Sequence, residues 1–289
     1  MRKFYIGVLA GVSALSLVAC SDSATPVDGT TDQSDLTLED VFNKAMVQQE
    51  SIESAKATVV MDQTIAMTGE GEGEEINMTS STNMDMSMTT KPLAFYIDGE
   101  MSMAMADEAE ALEEMPLKMY FTEAAGFYMY DMANEGWLKL PDESYQEILA
   151  QAGASANATE QLEQLKPFLD DFVFEQNNSA YILTLNAKGE KFKDLIFEQL
   201  EGTLGQSLGE ESESILDNIQ FDNAKYIITI DKKTFDTTKI VTDLAMEMNM
   251  EGTNAKISTL STINFSDFNK VDAITIPQDV IDNAVTSEF

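Results

Sequence analysis

Hydrophobic and polar residues alternate with a period of two along much of the chain. The apolar residues occupy odd positions in residues 57–68, even positions in residues 76–90 and odd positions again in residues 93–106. Such alternation is typical of β-strands that bury one face and expose the other. Three similar runs between residues 225 and 268 predict a second group of strands.

The two changes of parity predict how the first three strands pair. Facing residues on antiparallel strands point to the same side of a sheet, so an odd-numbered apolar residue must face an even-numbered one. We therefore expect two hairpins, one in which Met67 faces Ile76 and one in which Met88 faces Phe95. Together the hairpins form a meander with a single apolar face.

Helical patterns precede and interrupt the strands. Residues 37–53 carry apolar residues at helical spacing, and Thr37 with Asp40 three positions later predicts a capping box. Further helices are predicted at residues 143–152, 159–172, 189–202 and 212–220, and after a strand end and a break at Pro277. Short strands are predicted at three places within residues 117–140 and as a hairpin within residues 172–187. The prediction is a single α+β domain, residues 37–289, with a mostly antiparallel sheet of about ten strands.

The N-terminus has the layout of a bacterial lipoprotein signal. Arg2 and Lys3 precede an apolar stretch that ends in LVAC, with Cys20 as its last residue. Residues 1–19 are therefore predicted to be a signal peptide, and the thiol of Cys20 would be diacylated. The alternative is a secreted protein in which Cys20 is incidental. Residues 20–36 would then be the lipidated cysteine and a flexible polar tether, anchored at the extracytoplasmic face of the cell membrane.

Composition narrows the classes of function. Without residues 1–19 the chain would hold 15 basic and 51 acidic residues, a net charge of −36, which argues against binding to nucleic acid. The chain has no histidine, and Cys20 is its only cysteine. The usual zinc sites and histidine-dependent catalytic triads are therefore excluded. We expect a non-enzymatic monomer without a cofactor, whose partners are the membrane and an apolar ligand.

Methionines recur at every second position in three short segments, and three interpretations of them are open. Thioethers select Cu(I), although residues i and i+2 of a strand lie about 6.6 Å apart. Methionine also fills irregular protein cores, and its flexible side chain suits a surface that repacks around apolar ligands. For such a ligand the candidate residues are Met61, Met67, Met78, Met84, Met86, Met88, Phe95, Ile97, Met101, Met103, Met105, Leu244, Met246, Met248 and Met250.

The order of these features resembles a known family. A lipobox and a polar segment lead into DVFNKAMVQQESIESAKA at residues 40–57, methionine-rich strands follow, and the chain closes with AITIPQDVIDNA at residues 273–284. This pattern resembles the DUF6612-type lipoproteins of Gram-positive bacteria and, more distantly, the LppX/LprG-like and LolA/LolB-like lipoprotein carriers. The resemblance implies a strongly curved antiparallel half-barrel with helices packed on its concave face. It also implies that acyl chains lie between sheet and helices, and it carries over no catalytic residue.

These inferences favour a membrane-anchored extracytoplasmic lipoprotein that binds a lipid or a lipid-linked envelope component. The rival hypothesis is an interaction lipoprotein with a fully packed core. It would contact a protein or cell-wall partner through its acidic surface or through exposed aromatic residues at 127–130. The two hypotheses differ in whether the space in front of the methionines is filled.

Overall fold

The computed structural model describes residues 23–69, 76–105, 114–141, 165–186, 219–250 and 253–286. In these ranges thirteen strands form one sheet: β1 (Thr25–Pro26), β2 (Ser54–Gly69), β3 (Ile76–Thr90), β4 (Leu93–Met105), β5 (Met115–Thr122), β6 (Gly126–Asp131), β7 (Gly136–Lys139), β8 (Phe172–Gln176), β9 (Ala180–Asn186), β10 (Ile219–Asp231), β11 (Thr237–Met250), β12 (Thr253–Ser266) and β13 (Val285–Thr286). The described helices are α1 (Leu38–Glu50), α2 (Gln278–Asn283) and a 3-10 helix (Lys166–Asp171). None of them is long and apolar enough to cross a membrane.

The sheet is large, open and curved, and it is built from two consecutive meanders. Strands β2 to β7 are neighbours in chain order, and so are β8 to β12. The two meanders meet where β12 pairs with β2 in an antiparallel ladder of fourteen residue pairs. All pairings are antiparallel within the described strands, apart from the short edge strands β1 and β13, which pair in parallel with β8 and β7.

The register confirms the predicted pairing of the first hairpins. Met67 of β2 lies opposite Ile76 of β3, and Met88 of β3 lies opposite Phe95 of β4. The same parity continues through β12, β11 and β10, with two register shifts in the last of these pairs. We call the sheet surface that carries these four residues the apolar face. Side chains alternate between the two faces along a strand, so the register of each strand pair fixes which of its residues lie on the apolar face.

Helix α1 packs on the apolar face of β8, β9 and β10. It begins as predicted, since the Thr37 hydroxyl accepts from the backbone N–H of Asp40 while the Asp40 carboxylate accepts from that of Thr37. Val41, Phe42 and Ala45 of α1 are buried. They share one cluster with Ala24, Leu165, Phe168, Phe172, Tyr181, Leu183, Leu185, Ala224, Tyr226, Ile228 and Ile230. We call the apolar-face positions of β8, β9 and β10 the helix-covered region.

Helix α2 packs on the opposite face, at the other end of the sheet. Val280 of α2 and the preceding Ile276 form a buried cluster with Tyr128 of β6, and Tyr120 and Trp137 pack against it. The prediction that the helices all pack on the concave face is therefore wrong, because α1 and α2 lie on opposite faces. The reason is that the aromatic side chains of β5, β6 and β7 give the opposite face an apolar surface of its own.

Several predictions on element type are corrected. The additional strands include β1 and β13, which have two residues each. The last residues of the helix predicted at 212–220 begin β10, because Ile219 pairs with Met248 of β11 and is buried. Residues 271–277 form no strand. Of the helix predicted at 159–172, the described part contains the 3-10 helix. The predicted helices at 143–152 and 189–202, the signal peptide at 1–19 and Cys20 lie outside the described residues.

The polar segment that was predicted as a free tether packs on the sheet from Ser23 onward. The amide of Gln176, which is 1% exposed, donates to the carbonyl oxygens of Ala24 (2.7 Å) and Ser34 (3.0 Å). The same amide accepts from the backbone N–H of Ser34 at 2.8 Å. The composition of the segment predicts flexibility, but a side chain about 140 positions away satisfies its backbone polar groups.

Candidate functional site

The structure places all fifteen candidate residues on the apolar face. Met61 of β2 lies opposite Thr82 of β3, which lies opposite Met101 of β4, and Met246 of β11 lies opposite Ile257 of β12. The other candidates share this side through the same ladders: Met67, Met78, Met84, Met86, Met88, Phe95, Ile97, Met103, Met105, Leu244, Met248 and Met250. We call the apolar-face positions of β2, β3, β4, β11 and β12 the methionine-rich region.

Most candidate side chains in the methionine-rich region are half-buried, although Ala55, Ala57 and Val59 in the same region are buried. Leu183 and Ile230 in the helix-covered region are 0% exposed. Fourteen of the fifteen candidates have described side chains, Met250 being the exception. Among the fourteen, Met246 is buried, Met105 is 43% exposed and the other twelve are half-buried. The described residues therefore leave apolar surface accessible on this part of the sheet.

Two candidates pack against buried clusters: Leu244 against the cluster beneath α1, and Phe95 against a small aromatic cluster. The Phe95 ring stacks on Phe121 at a centroid distance of 5.3 Å and meets the edge of Phe127 at 5.8 Å. Phe127 and Tyr128 are 5% and 2% exposed. The expectation of exposed aromatic residues at 127–130, on which the rival hypothesis drew, is therefore wrong for these two residues.

A polar band crosses the methionine-rich region. Its members lie in two neighbouring cross-strand rows: Thr242, Ser261 and Thr82 in one, and Thr259, Gln63 and Ser80 in the other. The amide of Gln63 donates to the hydroxyl of Thr259 at 3.1 Å. The band separates apolar residues such as Met84 and Met86 from others such as Ile65 and Met78. Sequence reasoning missed it, although the alternation in residues 76–90 is broken at Ser80 and Thr82.

Thr82 is the most deeply buried member of this band. Its side chain is 4% exposed, and no described residue forms a hydrogen bond with its hydroxyl. Leaving a buried hydroxyl unpaired costs about 1–3 kcal/mol. The neighbouring Met61 and Met101 offer thioethers, which are weak acceptors. Thr82 thus places an unused donor and acceptor in an apolar setting.

The methionine-rich region carries no formal charge. In the described lengths of β2, β3, β4, β11 and β12, no Asp, Glu, Lys or Arg occupies an apolar-face position. The charged residues of these strands lie on the opposite face, as with the ion pair of Lys118 and Asp98 between β5 and β4 (3.7 Å). A charged group placed on the apolar face would lose hydration without gaining a partner of opposite sign.

The metal interpretation of the methionines remains a hypothesis. The residues opposite Met84, Met86 and Met88 on β4 are Gly99, Ile97 and Phe95. Met78 and Met105 do face each other across β3 and β4, which brings two thioethers to one place. Among the described residues, no group of three or more His, Cys, Asp or Glu side chains is placed to hold a metal ion.

A separate cleft of about 510 Å³ lies at the far edge of the sheet, between the N-terminal segment, α1 and β8. Leu38, Phe172 and Phe174 supply apolar walls, while Glu39 and Asp170 place carboxylates at it. Its two acidic groups distinguish it from the uncharged methionine-rich region.

Comparison with known proteins relates the chain to one family. The model of a family described as "Family of unknown function (DUF6612)" matches residues 37–285, which confirms the resemblance drawn from the sequence. No curated protein matches the chain significantly.

Three solved structures are similar at low identity. A structure of lipid–protein interactions in lipovitellin matches at 8% identity with a TM-score of 0.28, covering 77% of this chain and 26% of that one. A beta-barrel-like protein of domain DUF1849 from Brucella abortus matches at 9% identity and a TM-score of 0.20, covering 75% and 99%. A DUF1329 family protein from Desulfovibrio piger matches at 10% identity and a TM-score of 0.19, covering 80% and 91%. The chain thus spans about a quarter of the lipovitellin chain that it matches.

Proposed function

The chain belongs to the DUF6612 family, whose function is unknown, and we propose that it binds an apolar ligand on its methionine-rich region. The ligand is a lipid or a lipid-linked component of the cell envelope. The sheet acts as a half-barrel whose inner surface is the apolar face, and the protein acts without catalysis.

One observation supports this proposal, namely the accessibility of the candidate residues in the part of the chain that the structure describes. A region that served only as core would be buried as the helix-covered region is, with Leu183 and Ile230 at 0% exposure. Twelve described candidates are instead half-buried, and the described apolar-face positions of their strands hold no charged residue. Burial of acyl chain against them would contribute about 0.8 kcal/mol per methylene group.

The choice of methionine also supports a ligand of variable shape. An unbranched thioether side chain has three rotatable bonds, so a surface of methionines adjusts to chains of different length and unsaturation. Branched residues such as Ile230 hold one rotamer more strictly and suit a surface that packs against one fixed partner, as beneath α1.

We place the protein at the extracytoplasmic face of the cell membrane, anchored through diacylated Cys20. The proposal rests on the sequence of residues 1–20, which has the charge, apolar stretch and lipobox of a lipoprotein signal. The packed segment from Ser23 leaves two residues between the anchor and the domain. At about 3.5 Å per residue, Ser23 would lie within about 10 Å of the modified cysteine.

The test is whether the protein carries and exchanges lipid. The full-length protein, extracted from its own membrane, is examined by native mass spectrometry, and it is then titrated with a fluorescent acyl probe. We expect co-purified lipid and saturable binding of the probe. Absence of both would overturn the proposal and favour the interaction lipoprotein, while Cu(I) uptake in a competition assay would favour the metal interpretation.

A matched pair of variants locates the binding surface. Met86→Glu places a charge on the apolar face and should weaken probe binding at least tenfold, because the carboxylate loses its hydration when an acyl chain covers it. Ser87→Glu places the same charge on the opposite face, across from Lys56, and should leave binding unchanged. Equal effects of the two substitutions would show that the probe binds elsewhere.

A further inference from the structure

The buried hydroxyl of Thr82 points to the chemistry of the ligand. It lies on the apolar face between Met61 and Met101, it is 4% exposed, and no described residue forms a hydrogen bond with it. A fully apolar ligand would leave this group unsatisfied in the complex. A ligand with a polar group next to Thr82 would form a hydrogen bond with its hydroxyl, since a hydroxyl can both donate and accept.

The surrounding band extends the same chemistry across four strands. Ser80 and Gln63 lie in the next row, and Thr259 and Ser261 continue the band on β12. All of these side chains are uncharged, and the described apolar-face positions of the five strands include no cation that could pair with a phosphate. The net charge of the chain, −34, adds long-range repulsion of anions.

The apolar residues lie on both sides of the band. Met84 and Met86 extend away from it along β3 in one direction, and Met78 and Ile76 extend in the other. The two rows of the band occupy about 6.6 Å along the strands, which is the width of a small polar linker. A ligand that fits this pattern has apolar chains on either side of a short uncharged polar segment.

We infer that the ligand is an uncharged ester-linked glycerolipid, held with its glycerol ester group against Thr82 and its acyl chains on the flanking methionines. This inference rests on the proposed function and adds the ligand class to it. Thr82 selects by hydrogen bonding to the ester or hydroxyl oxygens, and the absence of a cation on the face rejects lipids with an anionic headgroup.

The experiment compares two probes with the same acyl chains. The full-length protein is incubated with 1,2-dioleoylglycerol or with dioleoylphosphatidylglycerol, and bound lipid is quantified by native mass spectrometry over a range of lipid concentrations. We expect dioleoylglycerol to bind at least tenfold more tightly. Equal or tighter binding of dioleoylphosphatidylglycerol would overturn the inference while leaving the proposed function intact. Binding of neither lipid would overturn the inference, and it would overturn the proposed function as well if co-purified lipid and binding of the acyl probe were also absent.

Substitutions at Thr82 test the contact itself. Thr82→Val keeps the shape of the side chain and removes the hydroxyl, so dioleoylglycerol should bind about tenfold more weakly. Thr82→Ser keeps the hydroxyl and should bind dioleoylglycerol as tightly as the unaltered protein does. Thr79→Val, three positions earlier on β3 and exposed on the opposite face, serves as the control and should bind as the unaltered protein does. An unchanged affinity for dioleoylglycerol in Thr82→Val would overturn the role of this residue.

Discussion

The helix-covered region and the methionine-rich region belong to the same face of one sheet, yet they are packed differently. Beneath α1 the face carries aromatic and branched aliphatic residues, such as Tyr181 and Ile228, with exposures of 3% or less. In the methionine-rich region the strands carry unbranched thioethers that are mostly half-buried. The type of side chain therefore differs with what lies in front of it. Residues with few rotamers face the fixed helix α1, and flexible residues face accessible space.

The polar residues of the two regions differ in the same sense. Gln176 at the edge of the helix-covered region uses both ends of its amide in hydrogen bonds to the N-terminal segment. Thr82 in the methionine-rich region is almost as buried, but its hydroxyl has no partner among the described residues. A buried amide with all its hydrogen bonds is typical of structural packing. A buried hydroxyl without a hydrogen bond lowers the stability of the protein and can still bind a polar group of a ligand.

The largest expected effect comes from truncating the same residue type in both regions. Ile230→Ala beneath α1 should lower the free energy of unfolding by about 4 kcal/mol, because it leaves a cavity in a filled core. Ile65→Ala, at a half-buried position of β2, should cost about 1–2 kcal/mol because its surroundings are already accessible. Urea unfolding measures both values. Equal losses would show that the methionine-rich region is packed as tightly as the helix-covered region.

An intermediate effect is expected for the side chain that holds the N-terminal segment. Gln176→Ala removes three hydrogen bonds and should cost about 2–3 kcal/mol. It should also expose residues 23–35 to limited proteolysis. Asn178→Ala is the control, since its bonds to Thr31 and Asp32 are exposed and should contribute less. A Gln176→Ala protein with an unchanged cleavage pattern would show that the segment is held by other contacts.

The smallest effect, taken per pH unit, is the alkaline pH dependence of the helix-covered region. Burial raises the pKa of Tyr226 to about 12, so the folded state keeps this proton at pH values where an unfolded tyrosine, with a pKa of about 10, has lost it. The unfolded state is then favoured by deprotonation. Stability should therefore be intact below pH 10 and should fall by roughly 1.4 kcal/mol per pH unit between pH 10 and 12.

The variant Tyr226→Phe should make this decline shallower in urea unfolding at pH 9, 10 and 11. A residual slope is expected because burial and the hydrogen bond to Asp98 also raise the pKa of Tyr96, on the opposite face. An identical slope in the variant and the unaltered protein would show that Tyr226 does not titrate in this range.

Much of the first meander could be predicted from the sequence. Alternation placed Met67 opposite Ile76 and Met88 opposite Phe95, and the capping box placed the start of α1 at Thr37. These features depend on residues within a few positions of one another or on a short turn. Part of the polar band was also visible in the sequence, because Ser80 and Thr82 occupy positions of β3 where the alternation predicts apolar residues. Only the pairing with the neighbouring strands shows that these two residues belong to a band.

Other features depend on contacts between distant parts of the chain. The polar composition after Cys20 predicts a free segment, and only the buried amide of Gln176 explains why it packs from Ser23 onward. Likewise, Ile219 follows a helical pattern in sequence, but its pairing with Met248 makes it a strand residue. Long-range pairing overrides local propensity in both cases because it buries apolar surface or satisfies backbone groups that the local structure would leave open.

By itself, the sequence determined which side chains share a face, because the side-chain period of a strand is two and needs no knowledge of the fold. It also determined the charge of that face and the start of the first helix. The tertiary structure decided that β12 pairs with β2, that α1 and α2 lie on opposite faces, and that Thr82 is buried while most methionines are accessible. These outcomes depend on which distant strands lie side by side in the sheet, because the neighbouring strands set the partner and the exposure of each residue on the face.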